Sequence, residues 1–226
     1  MATLMDGVWM LPLRGRPEGA VALRKALWLT EPDARVVCCV DDADPDAVAL
    51  RMIACSAGWH VCSMPGSPTT VEKLNHMVSE FPVEAFYGLL ASDIIPQTIG
   101  WGTALAAAVP AMGLSFCDDS IHGKRLPTHP VVDGGLVRAL GWWAYPEARH
   151  NGIDVYLRDL AYEFGGCVYL EEHLFLHNHP TAGRGAPDDV YARANSWQAD
   201  DAKASQRWAL EGVHQAKARV RSLYEF

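Results

Sequence analysis

The residues best placed for chemistry are one isolated acid and a late pair of histidines. Asp93 stands in "YGLLASDIIP", where a short apolar run from Tyr87 ends in a single carboxylate before two isoleucines and a proline. An acid there either closes a turn or holds a ligand at the tip of a strand. His177 and His179 stand two apart in "HLFLHNHP". In an extended segment that spacing puts both rings on one face, where they reach a common ion or merely face solvent. If the fold brings them to Asp93, carboxylate plus imidazole suits Mn2+ or Mg2+, with a diphosphate supplying further oxygens. Asp154, in "HNGIDVYLRDL", opens a helical pattern. It is either a first-turn acid favoured by the helix dipole or a general base at a cleft. Asp41, Asp42, Asp118 and Asp119 also end apolar runs, and they read as turn acids.

The elements that must position these groups follow from periodicity. Short apolar runs at "GVWMLPL", "RVVCCV", "GWHVCSMP", "EAFYGLLASD" and "MGLSFCDD" read as strands. Between them "AVALRKALWL", the segment after "DDADPDA", "SPTTVEKLNHMVSEF" and "TIGWGTALAAAV" read as helices. Asp44 or Asp46 is a candidate cap for the second helix, and Ser67 or Thr69 for the third. Alternation over the first 120 residues predicts a mostly parallel α/β sheet with helices on both faces. Ligands bind at the carboxyl ends of such strands, which is where Asp93 falls.

The second half is less regular. "VVDGGLVRALGWW" reads as a short helix, "GIDVYLRDLAYEF" as an amphipathic helix ended by Gly165 and Gly166, and "CVYLEEHLFLHNHP" as extended structure. The remainder is helical. We expect a single domain over 1–195, with a nucleotide-binding half at 1–120 and an acceptor half at 121–195, followed by a helical extension at 196–226. Trp142 and Trp143 are either core residues or stacking platforms for a sugar or base.

Half of the 226 residues are apolar, enough for a sizeable core, and the formal net charge is −8, which disfavours a broad grip on nucleic acid. The six cysteines form no CxxC pair and sit largely in apolar runs, as free thiols of a reducing compartment do. Met1 to Trp9 lacks the basic start of a leader, and no apolar run has the roughly 20 residues that span a membrane. A cytoplasmic setting is expected. There is no GxSxG, no GxxxxGK[ST] and no GxGxxG after the first strand, against serine hydrolases, P-loop enzymes and standard dinucleotide enzymes.

Taken in order, "LPLRGRPEGA", "CVDDADP", "EKLNHM", "FYGLLASDIIPQTIGW" and the tail from "LPTHPVVDGG" to "APDDVY" resemble the GT-A glycosyltransferases. The likeness is to their family-two-like branch, especially its small bacterial and phage members. The resemblance spans about residues 7–195 and rests on the order of the pieces, none being specific alone. It implies a GT-A, Rossmann-like sheet and transfer of a sugar, a UDP-hexose being the expected donor, to a hydroxyl with inversion. Pro12, Arg14 and Arg16 would line the nucleotide pocket, Asp41 would accept from the base, and Lys73 and Asn75 would lie near ribose and diphosphate. Asp93 matches the last acid of the DxD-type motif that holds the metal, His177 or His179 the late histidine, Asp154 the general base, and Trp101 a residue packed behind the motif. Here the motif reads Ala91-Ser92-Asp93, so one acid has become alanine and Ser92 holds another acid's place beside the donor. Arg184 joins Arg14 and Arg16 as a candidate phosphate partner, and "TAGRG" as a loop that closes over the donor. The acceptor (glycan, protein or modified nucleobase) and the oligomeric state are not legible. A nucleotidyltransferase would carry a glycine-rich "GGxGTR"-like stretch where "LPLRGRPEG" has two glycines. A non-catalytic binder of nucleotide sugars or glycans is the other alternative.

Overall fold

The computed structural model describes residues 6–224. The extreme ends of the expected divisions, and most of the Met1–Trp9 stretch read above for a leader, lie outside the described residues.

The chain forms an eight-stranded sheet in the order β3-β2-β1-β4-β7-β6-β8-β5. Its first half follows the expected alternation: β1 (Val8–Leu13), α1 (Pro17–Thr30), β2 (Val36–Asp41), α2 (Ala47–Ser56), β3 (His60–Met64), α3 (Thr70–Glu80) and β4 (Phe86–Leu89). All six residues of β2 are buried, as a central parallel strand covered on both faces requires. Alternation along β1 divides the core: Met10 joins the cluster containing Tyr87, Trp143 and Trp208 on one face, while Trp9 and Leu11 join Trp101 and Phe175 on the other. Trp143 and Trp101 are fully buried, so both are core residues; Trp101 packs edge-on against Trp9 and Phe175. Thr69, not Ser67, caps α3 through a capping box with Glu72. Asp46 stands at the head of α2 without a side-chain cap bond; Asp44 instead accepts from the Asp46 and Gly15 amides, at 2.9 and 2.7 Å.

Two strands break the alternation. β5 (Ile94–Pro96) follows β4 with no helix between, and β7 (Val131–Asp133) precedes α5 (Gly134–Leu140) in a segment whose sequence reads as a helix alone. Between them lie α4 (Trp101–Ala108) and β6 (Leu114–Asp118), and α6 (Ile153–Phe164) then leads to β8 (Cys167–His177). Six strands share one direction, while β7 runs antiparallel to β4 and β6, and β5 antiparallel to β8. The consequence is positional. A reversed strand begins at the edge where its neighbours end, so the residues before β7 and before β5 arrive at the carboxyl edge together with the tips of β1, β4, β6 and β8.

The register of β6 with β8 jumps between Cys117 and Asp118, from Leu170 to Leu174. Such a bulge re-aims the strand end. The last helices are α7 (Asp189–Ser196), α8 (Gln198–Arg207) and α9 (Val213–Tyr224), and the last two pack on the core. Ala204, Trp208, Ala216 and Val220 are buried in the same cluster as Met10 and Tyr87. Among the described residues no helix is long and apolar enough to cross a membrane.

Candidate functional site

At the carboxyl edge lies a cavity of about 290 Å³. Pro12, Arg14, Arg16, Lys73, Ser92 and Asp93 line it, together with Asp154, His177 and His179. Three other residues expected there are placed elsewhere. The Asp41 side chain is fully buried and paired with both Lys73 and Arg14, which leaves it no face for a base. The Asn75 side chain donates to Ala144 O at 2.8 Å and accepts from the Trp143 and Ala144 amides, so it ties α3 to the loop after α5. Arg184 donates to His177 O and to the Ser120 carbonyl and hydroxyl. It thereby anchors the "TAGRG" loop and does not line the cavity.

Lys73 also donates to Leu13 O at 2.6 Å. Burial works to lower its pKa, and the adjoining Asp41 carboxylate works against that, leaving the ammonium somewhat below its ordinary value. This buried cluster makes a fixed wall, because removing Asp41 strands the Lys73 charge at a cost of about 3–5 kcal/mol.

Arg16 is held unusually. It precedes α1 with φ +54°, in the left-handed region that a non-glycine residue enters at a cost. Its Nη1 donates to Asp93 Oδ2 at 2.7 Å, while Nε and Nη2 grip Asp188 at 2.6 and 2.9 Å. Its guanidinium lies 4.0 Å from the centre of the Tyr191 ring. Gly19 lets α1 approach this turn: a Cβ there would stand 2.4 Å from Ser92 O.

Asp93 sits between β4 and β5. Its Oδ2 also accepts from the Tyr191 hydroxyl at 2.8 Å. Burial pushes its pKa up, but His177, Arg16 and the Tyr191 hydroxyl outweigh burial and hold the carboxyl below its usual range. His177 Nε2 lies 3.9 Å from Asp93 Oδ1.

The sequence reading missed His129. It lies in "LPTHPVV" just before β7, is 7% exposed, and its ring centre is 5.0 Å from that of His177. Ligand atoms of Asp93, His129 and His177 all lie within 4.8 Å of one another. Burial pushes the His129 imidazole down to about 3, so it is neutral at physiological pH, the form a cation takes as a ligand. One buried and two half-buried groups converging on one point, with mixed nitrogen and oxygen donors, fit a divalent cation and suit Mn2+ better than the oxygen-demanding Mg2+. His179 stands outside this trio. β8 ends at His177, so no strand alternation aligns the two rings, and His179 Nδ1 lies 2.7 Å from Thr181 Oγ1. The only local sign of His129 was its place in the motif order; its partners lie 36 residues before it and 48 after it.

Asp154 enters from the first turn of α6. Oδ1 accepts from the Val155 amide at 2.9 Å. Burial raises its pKa, and the local amides and distant cations only partly oppose that. Asp201 of α8, 3% exposed, accepts from the amides of Arg149, His150 and Asn151 and from Asn151 Nδ2. That grip fixes the loop that leads into Asp154, and no sequence motif announces it.

No protein-family model matches the chain, and no curated protein does. Solved structures do. A mannosyltransferase from Pyrobaculum calidifontis, in complex with GDP-Man and Mn2+, aligns with a TM-score of 0.62 at 11% identity, over 97% of this chain and 79% of that one. GalNAc-T7 with UDP, GalNAc and Mn2+ aligns with 0.57 at 8%, over 78% and 44%, so the chain spans less than half of that protein. The 4-diphosphocytidyl-2C-methyl-D-erythritol synthase from Anaerococcus prevotii aligns with 0.54 at 8%, over 86% and 97%. At such identities the likeness shows the fold: a GT-A type α/β domain, shared by nucleotide-sugar glycosyltransferases and by a nucleotidyltransferase.

Proposed function

We propose, with the GT-A fold as premise, that the chain moves a hexose from a nucleoside diphosphate sugar, UDP-linked in the simplest case, to an acceptor hydroxyl with inversion. One observation carries the reading: Asp154 lines the same cavity as the Asp93–His129–His177 trio and the cations Arg14, Arg16, Lys73 and Arg193. Those cations complement a diphosphate, and their attraction grows as charge develops on the leaving group. A divalent cation at the trio, Mn2+ before Mg2+, supplies further charge stabilisation of the departing diphosphate. Asp154 accepts the acceptor's proton while the acceptor oxygen attacks from the side opposite the leaving group, which inverts the anomeric centre. Its raised pKa makes it a stronger base than a solvated aspartate.

Helix α7 lines this open cleft through Val190, Tyr191 and Arg193, and a diphosphate there competes with Asp188 for the Arg16 guanidinium. With Asp41 buried and engaged by Lys73 and Arg14, the base is read by groups other than Asp41. A free nucleotide donor accords with the cytoplasmic setting that the cysteines suggest.

The nucleotidyltransferase among the structural neighbours supports a second reading. The products separate the two: sugar transfer releases a nucleoside diphosphate, nucleotidyl transfer releases pyrophosphate. The test is calorimetric titration of UDP with and without Mn2+, followed by assay of UDP release from UDP-sugars. Binding strengthened by Mn2+, with UDP as product, is the expected result. Binding of equal strength without the metal removes Asp93 from the metal role, and pyrophosphate released from UTP and a phosphorylated acceptor, with no UDP from the sugar nucleotides, replaces the reaction.

A further inference from the structure

The trio has a partner beyond its own three residues. His177 presents Nε2 towards Asp93 and Nδ1 towards the far side of the ring, where Asp119 Oδ2 lies 3.7 Å away. Asp119 is 2% exposed, an expensive place for a carboxylate unless it is fully engaged. Its two oxygens divide the work. Oδ1 accepts from the amides of Ile121, His122 and Gly123, at 3.0, 2.6 and 3.2 Å. Oδ2 faces His122 Nδ1 at 2.8 Å, the Thr128 hydroxyl at 3.1 Å, and His177 Nδ1. A loop that needed only a turn acid would use the first oxygen. The second oxygen bonds His122 and Thr128 and also stands beside the imidazole of the trio. His177 Nδ1 is itself buried and has no hydrogen-bond partner among the described residues.

We propose that Asp119 is a positioning residue for the cation site, holding the proton of His177 on Nδ1 so that the Nε2 lone pair faces Asp93 and the ion. The inference rests on the metal reading of the trio. A ring nitrogen can ligate only when it carries no proton, and a carboxylate at the other nitrogen fixes which one that is. Closing the present 3.7 Å gap takes a small rotation of the ring, the kind of adjustment that ligation imposes. Thr128 and His129 are neighbours in sequence, so the segment before β7 contributes one ligand and one support for this second carboxylate.

Asp119→Asn tests the idea. Its remaining oxygen can still accept the turn amides, while its NH2 group opposes His177 Nδ1–H and drives the ring to the other tautomer. Mn2+ affinity, measured on the protein alone by electron paramagnetic resonance of free Mn2+, is expected to fall about 10- to 100-fold. The melting temperature of the metal-free variant should stay close to the parent. Unchanged Mn2+ affinity in a folded Asp119→Asn overturns the proposal. A parent that fails to bind Mn2+ overturns the metal reading itself, and with it this role. Should the variant fail to fold, the parent decides: nitrogen NMR of the neutral His177 ring, recorded without metal, is expected to show the proton on Nδ1. A ring protonated on Nε2 overturns the proposal.

Discussion

Two carboxylates line the same cavity, both are largely withdrawn from water, and they are driven in opposite directions. Asp93 is held below its ordinary pKa although burial pushes it up, because Arg16, His177 and the Tyr191 hydroxyl surround it. Asp154 is raised because burial meets only neighbouring amides and remote cations. The difference lies in topology. Asp93 stands where a strand tip, a reversed strand and α7 converge, so cations and donors reach it from several segments. Asp154 stands on the first turn of one helix. Environments that push two acids apart assign them different tasks. The one kept ionised by cations suits holding charge, and the one raised by burial suits taking a proton.

The sharpest way to break this contrast is Asp154→Asn. Transfer should fall by about 10²- to 10⁴-fold, the range for loss of a general base, while the UDP dissociation constant from calorimetry stays close to the parent's. Transfer at the parental rate would remove the base assignment. Next in size is Asp93→Asn. Mn2+-linked UDP binding should weaken about 10- to 100-fold, whereas UDP binding without metal should change little. Equal losses with and without Mn2+ would give Asp93 a purely structural task.

The pH profile refines the comparison further. A base works when deprotonated, so kcat should fall as pH drops through the raised Asp154 pKa, and the acid limb should lie above the ordinary carboxylate range. For stability the sign is the reverse of the usual Asp case. A folded-state pKa above the unfolded value means that the folded chain binds the proton more readily. The Asp154 charge therefore costs stability above its folded pKa, and that cost fades as pH falls. Asp154→Asn should consequently raise the melting temperature at neutral pH. Asp93→Asn, which leaves Arg16 short of a partner, should lower it. The smallest effect belongs to Asp188→Ala. Its carboxylate is 37% exposed, so losing the Arg16 pair should cost no more than about 1 kcal/mol in chemical denaturation. The affinity for UDP should change more than the stability does.

The parallel half of the fold was legible because each strand there is a compact apolar run and each helix has its own period. Asp93 was legible for the same reason: an acid after such a run falls at the carboxyl edge. β5 and β7 were not, since three residues carry no periodicity, and it is their reversal that delivers Asp93 and His129 to the site. The resemblance made Asp41 a base-binding acid, and a strand-end carboxylate looks the same whether open or spent. That Lys73 reaches it from α3 is a long-range fact. Asn75 and Arg184 are polar residues whose partners are main-chain groups far along the chain, which no local pattern reveals. Asp119 read as a turn acid, and its first oxygen is one; only packing shows where the second points.

The Asp201 grip on residues 149–151 has a temporal consequence. Chains are synthesised from the amino end at about 5–20 residues per second, and early segments begin to organise first. Strands β1 to β4 can pair while the rest is still being made, whereas the loop ahead of Asp154, already held to α3 through Val71 N–Arg149 O and Thr70–His150, gains its contacts to Asp201 only when α8 has left the ribosome. The scaffold of the molecule is therefore assembled early, and the setting of Asp154 is completed late.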